Sequence, residues 1–249
     1  MVPKLDIVIP VYNEGRNIAR VLALLARNVR TPCRILICYD NDNDDTLPAV
    51  RANSNKYPNL PLEFVRNQRQ GAHAAVMSGF AASVAPIVVV YPADDDFNSG
   101  ILDRMGSLVE QGFDVVCASR FMPGGTMQGC PLLKAVLVRA AAFTLYRWAG
   151  LPTHDPTSGF RMFSRRVIEQ IVVESEQGFC YSIELLVKAH RLGWRICEVP
   201  AQWFERKAGQ SRFRVLKWLP PYLRWYFYAY ATTLLRRSPN TVPLRTGTS

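Results

Sequence analysis

Several features are missing or scarce in this 249-residue sequence, and each shortage narrows what the chain does. The aromatic stretch between Lys217 and Arg236 has Trp225 to Leu235 as its longest uncharged run. That is far short of the ~20 apolar residues a spanning helix needs. The six cysteines (Cys33, Cys38, Cys117, Cys130, Cys180 and Cys197) form no CxxC pair and have no zinc-ligand spacing. Most sit in apolar, strand-like runs, which predicts buried free thiols in a reducing compartment. The three histidines suggest no Ser-His-Asp arrangement, and no Gly-Lys-Ser/Thr phosphate loop occurs. There is no internal repeat and no low-complexity linker. Met1 to Lys4 leads straight into a strand without a signal peptide, so the expectation is a peripheral protein on the cytoplasmic side of a membrane.

Acidic residues are scarce in one place. Between Arg206 and Arg237 there are eight basic residues and no acid, a large share of the formal net charge of +10. A local excess of this kind points to a polyanionic partner. Here the basic residues alternate with Trp218, Tyr222, Trp225, Tyr226, Phe227, Tyr228 and Tyr230. Aromatic density with basic flanks fits a segment lying in an anionic membrane surface better than a nucleic-acid binder. Residues 1–214 are therefore expected to form the main domain, and residues 215–249 an amphipathic membrane-associating segment. A helix packed on its own domain or on a dimer partner is the alternative for that segment.

What is abundant is alternation. Strand-like runs at Leu5–Val11, Arg34–Tyr39, Leu62–Val65, Ile87–Tyr91 and Asp114–Ala118 are separated by helical spacings such as Ile18, Val21, Leu22 and Leu25. Repeated βα units predict a mostly parallel α/β sheet with helices on both faces. The second half is less regular. It holds a long amphipathic helix over Leu132–Ala149 and the segment Asp155-Pro156-Thr157-Ser158-Gly159-Phe160-Arg161.

In such a sheet, ligands gather beyond the carboxyl ends of the strands. The run Val88-Val89-Val90-Tyr91 ends there in Asp94-Asp95-Asp96, followed by Asn98. Alternation along the chain lets Asp94 and Asp96 point one way and Asp95 the other. With the Asn98 amide oxygen they make a hard oxygen set suited to Mg²⁺ or Mn²⁺ with positions left for a substrate's phosphates. At the first strand's end, Tyr12 and Glu14 could hold a nucleobase and ribose. Asp40 opens an acidic turn at the adjacent strand's end.

Taken together, Pro10-Val11-Tyr12-Asn13-Glu14, the acidic turn, the Asp-x-Asp and Asp155–Arg161 resemble the family 2 glycosyltransferases, in particular the dolichyl-phosphate mannose synthases and bacterial polyprenyl-phosphate glycosyltransferases. The resemblance runs from Ile7 to about Phe213. It implies a GT-A fold, a nucleotide-diphospho-sugar donor and a divalent metal. By position it assigns Pro10, Tyr12, Glu14 and Asp40 to the nucleoside, and Asp94, Asp96 and Asn98 to the metal. Arg120 falls to the acceptor phosphate, with Lys134, Arg139 and Arg161 as further phosphate-binding cations. Arg206, Ser211 and Arg212 match a phosphate-side loop that closes over the donor. Three departures stand out: Tyr39-Asp40-Asn41-Asp42 in the acidic turn, Asn98 for a usual Gln, and Arg212 for a usual Lys.

The chemistry implied is transfer of a hexose to a polyprenyl phosphate with inversion. That acceptor is already an anion and needs cations more than a base. A saccharide hydroxyl acceptor in surface polysaccharide synthesis would need one, and Asp155 is the candidate by motif. A module that binds nucleotide sugar without turnover is the remaining alternative.

Overall fold

A computed structural model describes residues 2–204 and 215–245. Strand β1 (Leu5–Pro10) leads into helix α1 (Gly15–Asn28), and β2 (Cys33–Tyr39) into α2 (Thr46–Ser54). Next come β3 (Leu62–Arg66), α3 (Ala72–Ala82), β4 (Ile87–Val90) and α4 (Leu102–Glu110). After β5 (Val115–Ser119) the alternation loosens into β6 (Thr126–Gln128), α5 (Leu132–Arg147), β7 (Arg161–Ser164) and α6 (Arg165–Gln170). Helix α7 (Cys180–Arg191), β8 (Ile196–Pro200), β9 (Gln202–Phe204) and α8 (Val215–Leu234) complete it.

Seven strands form one sheet in the order β3-β2-β1-β4-β7-β5-β8, and β6 pairs with β9 beside it. The expected mostly parallel sheet is present, with one strand that periodicity did not reveal. β7 runs antiparallel between β4 and β5, so Arg161 starts a central strand instead of ending a loop. Four residues with a charge at one end carry too little alternation to announce a strand. The chain winds from β1 to β2 and β3 on one side and then places β4 on the other. The crevice of this doubly wound sheet therefore opens above the carboxyl ends of β1 and β4.

Side-chain alternation divides the interior into two cores. Val8, Leu36, Val88, Val90, Val115 and Phe163 face one side, under α3, α7 and α8. Ile7, Ile9, Ile37, Val89 and Val116 face the other, against α1 and α4. Cys38, Cys117 and Cys180 are buried free thiols, and burial pushes the Cys38 thiol up to about 12.

Helix α8 does not stand apart. Trp225 and Ala229 belong to the first core, and Tyr222, Tyr226, Tyr228 and Tyr230 pack against it. The Trp225 indole donates to Ser175 Oγ at 3.0 Å. Arg191 of α7 donates to the Tyr228 carbonyl and to Thr232 Oγ1. Beneath the indole, the fully buried Lys188 ammonium meets Glu184 and Glu174, both at 2.6 Å. Arg224 closes on Glu174 from the solvent side. Buried charges are tolerated when paired in this way, and breaking one pair strands the other partner. Among the described residues no helix is long and apolar enough to cross a membrane.

The approach of α3 to the sheet depends on Gly79. A Cβ there would lie 2.3 Å from Val8 Cγ1 and 2.9 Å from Cys38 Sγ. Gly79→Ala should thus destabilise the protein by about 1–3 kcal/mol through overpacking, despite alanine's higher helix propensity. Urea denaturation gives the test; an unchanged or raised midpoint would show that α3 can move off the sheet.

Candidate active site

Three strand ends build the site. At β1, Pro10 finishes the strand and Asn13 takes a left-handed backbone, with φ of 55°. The acidic turn after β2 holds this loop. Asp44, itself buried, accepts the Asn13 N–H on both oxygens at 3.1 Å, and Asp45 accepts from Gly15 at 2.9 Å. Carboxylates at the start of α1 are favoured by its unpaired N–H groups and dipole. Tyr12 is left about half exposed over the crevice. Glu14 accepts from Asn17 Nδ2 at 2.7 Å. Asp40 ties the neighbouring loop, accepting from Asn67 Nδ2 at 2.7 Å and from the Gly71 N–H at 2.9 Å. The turn that looked like a nucleoside contact thus also holds the β1–α1 and β3–α3 loops in place.

Beyond β4 the acidic triplet lies in a turn, and Asp95 and Asp96 are held differently. Asp95 turns inward. Its Oδ1 accepts the N–H groups of Phe97 and Asn98, and its Oδ2 accepts Asn98 Nδ2 at 2.6 Å. Burial lifts the Asp95 carboxyl above the usual carboxylate range, although these N–H donors oppose the shift. Asp96 faces Arg20 at 3.2 Å. That arginine is largely exposed, so solvent screens the pair and another cation can compete for the carboxylate.

Asn98, expected to present its oxygen to a metal, is found in another role. It is buried, its Oδ1 accepts the Gln202 N–H at 2.8 Å, and its Nδ2 donates to the Gln202 carbonyl at 2.8 Å. The carboxamide imitates a strand and pins β9 beneath the triplet. Among the described residues no three His, Cys, Asp or Glu side chains converge on a complete metal cage. The remaining donors, Asp94 and Asp96, fit an ion such as Mg²⁺ or Mn²⁺ that takes one or two carboxylates and completes its shell with water and substrate phosphates.

At the end of β5, Arg120 and Asp155 form a buried ion pair. Arg120 Nε and Nη2 donate to the two carboxylate oxygens at 2.6 and 2.9 Å, and the Arg120 N–H adds a third bond at 3.0 Å. Thr157 Oγ1 bridges both partners. Burial alone would raise the Asp155 carboxyl; the guanidinium overrides this and holds it below the usual range. By motif Asp155 was the candidate base. Here it is completely buried, and both oxygens are engaged by Arg120.

Arg161 is likewise interior. Its guanidinium donates to Ser182 Oγ and the Pro156 carbonyl, so it braces the Asp155–Arg161 loop and opens to no surface. Arg139 shares an aromatic ring with Arg120: its guanidinium lies 4.9 Å from the centre of the Phe121 ring, and Arg120 lies 5.1 Å from the same centre. Lys134 lies over Trp203 at 5.3 Å. Arg206, Ser211 and Arg212 lie outside the described residues.

Sequence reasoning passed over three contributors. Thr157 stood inside the quoted motif. Glu198 and Tyr146 carried no signal, yet Glu198 accepts from the His154 N–H and pairs with its ring, which stacks on Tyr146 at 4.1 Å.

The family model for glycosyl transferase family 2 matches residues 6–172, more than half of the chain. The chain belongs to glycosyltransferase family 2. It is 29% identical over 230 residues to the polyprenol monophosphomannose synthase of Mycolicibacterium smegmatis, covering 85% of each chain. With the dolichol-phosphate mannosyltransferase of Pyrococcus furiosus it shares 26% identity over 85% of its own length, but spans 59% of that protein. Its fold matches glucosyl-3-phosphoglycerate synthase from Mycobacterium tuberculosis, solved with Mn²⁺, UDP and glucosyl-3-phosphoglycerate. There the TM-score is 0.61 at 19% identity, over 94% of this chain and 80% of that one. The expected GT-A-like fold and glycosyltransferase activity are therefore established, and the crevice at β1 and β4 is the candidate active site of this family 2 enzyme.

The ion pair also makes stability depend on pH. Asp155's folded value is depressed, so its contribution is complete above the ordinary carboxylate range and fades as pH falls through that folded value. Asp155→Asn should cost about 3–5 kcal/mol at neutral pH by stranding the Arg120 charge, with a smaller difference in strong acid. Denaturant midpoints of both proteins across pH test this, and a gap that stays constant into acid would contradict the pairing.

Proposed function

We propose that this glycosyltransferase moves a hexose, with inversion, from a nucleotide-diphospho-sugar to a polyprenyl phosphate at the cytoplasmic face of an anionic membrane. The observation that carries the reading is the Arg120–Asp155 pair. It occupies the nearest candidate base and holds a fixed guanidinium at the end of β5, with Arg139 on the same Phe121 ring. A hydroxyl acceptor would need that base, whereas a phosphate monoester is already ionised and needs cations to place it. The names of the relatives, a polyprenol monophosphomannose synthase and a dolichol-phosphate mannosyltransferase, support the same choice of acceptor.

In this reading Tyr12 and Glu14 hold the nucleoside, with Pro10 and Asp40 shaping the loops around it. Asp94 and Asp96 would hold Mg²⁺ or Mn²⁺, which when bound neutralises charge on the donor diphosphate. Arg139 and Arg120 orient the acceptor phosphate. Asp155 acts through Arg120, fixing its guanidinium in one rotamer. Attack from the side opposite the leaving diphosphate inverts the anomeric centre. Arg206, Ser211 and Arg212 remain proposed phosphate-side residues.

The deciding assay offers a panel of radiolabelled nucleotide sugars with Mn²⁺ or Mg²⁺, with and without short-chain polyprenyl phosphate. A lipid-soluble labelled product that disappears on chelation is expected; label that remains water-soluble with every donor would refute the acceptor. Asp96→Ala should lower turnover about 100-fold or more, while Arg20→Ala should leave it within a few-fold. Equal losses would mean that the Asp96–Arg20 pair is needed only for structure.

Arg139→Ala should raise the acceptor KM about tenfold, through loss of a charge-assisted contact, and leave the donor KM alone. Steady-state kinetics in both substrates decide it; the opposite split would move Arg139 to the donor side.

A further inference from the structure

Helix α5 is built against the usual rule for a surface helix. Its inward contacts are made by Ala142 and Leu145, while Leu132, Leu133, Val136 and Leu137 are each more than half exposed. Phe143 continues the same exposed side, and Trp148 follows just past the helix end. Apolar residues at i, i+1, i+4 and i+5 of one helix make a continuous stripe. A stripe this large on a soluble face marks an interaction surface.

Helix α8 adjoins it. Thr144 Oγ1 and Tyr226 OH lie 2.7 Å apart, and Thr233 donates to the Ala149 carbonyl within hydrogen-bonding distance. Phe143 and Phe227, next in sequence to the two bonded residues, are exposed, as is Leu234. The bulky rings of α8, Trp225, Tyr226, Tyr228 and Tyr230, are turned to the protein. Thus α5 presents the broader aliphatic face, and α8 extends it with its outward residues.

Charge selects the occupant. Residues 115–154 contain Arg120, Lys134, Arg139 and Arg147 but no Asp or Glu, and residues 206–249 contain none either. A second copy on this face would bring two basic rims together, which like-charge repulsion disfavours. An anionic bilayer satisfies the stripe and the rim at once, in the manner of a helix lying in the headgroup boundary. We propose that α5, with the outward residues of α8, is the surface by which the protein seats itself on an anionic lipid bilayer. The inference extends the membrane acceptor proposed above, since Arg139 of this same helix reaches the Phe121–Arg120 column. Seating α5 would then bring the phosphate-binding cations to the lipid headgroup level.

The test uses the full chain and vesicles of phosphatidylglycerol and phosphatidylcholine that contain no polyprenyl phosphate. Wild-type protein should sediment with anionic vesicles and much less with pure phosphatidylcholine. The double substitution Leu133→Glu, Leu137→Glu should lower the partition coefficient at least about tenfold, as two exposed aliphatic contacts are lost. Its thermal melt and its transfer to a water-soluble short-chain acceptor should match wild type. Equal partitioning of the variant and wild type would overturn the proposal. So would wild type that stays in the supernatant, or a wild-type dimer in analytical ultracentrifugation that the substitution dissociates. Vesicle binding lost in the variant, together with no transfer to any polyprenyl phosphate, would support the surface and refute the acceptor separately.

Discussion

The buried pair between Arg120 and Asp155 is the constraint on which the rest of the site depends. A guanidinium at the end of β5 can be held away from water only if a carboxylate meets it squarely, and three hydrogen bonds from Arg120 do this. Asp155 is in turn fixed by Thr153 and Thr157, and Thr153 by Glu198. Arg161, at the other end of the same loop, ties it to α7 through Ser182. The loop therefore has little freedom to present Asp155 differently. A carboxylate held this way is a poor proton acceptor and a good positioning group, which is why the acceptor proposed for it is one that arrives already charged.

The same economy appears at β4. Three consecutive aspartates would repel one another if all faced the crevice. Asp95 is withdrawn into a set of N–H donors, and Asp96 faces an exposed arginine. The turn that follows β4 makes this possible, and Asn98 secures it by pairing with the backbone of Gln202. An amide here performs like a strand edge, with both hydrogen-bonding ends satisfied by one partner residue.

The C-terminal helix has one packed side and one exposed side. Its rings fill the core against α7, locked by Trp225 over Lys188, while Phe227 and Leu234 remain exposed. Aromatic content alone pointed to an interfacial segment. The fold divides that content by helical face, and gives the aliphatic share of the exposed surface mainly to α5.

The sequence by itself determined the repeated βα units, the sheet with two covered faces, and the family-bearing motifs at three strand ends. These are local: a period of two or 3.6, or a run of adjacent residues, survives without knowledge of the fold. Only the tertiary structure decided which members of each motif face the crevice. Asp40, Asn98, Asp155 and Arg161 all satisfy partners far along the chain, and such partners leave no trace in spacing. The His154–Glu198 contact was hidden for the same reason, whereas β7 was too short to show its period. Burial of a polar group is settled by what lies across from it, and that is set by packing between elements distant in sequence.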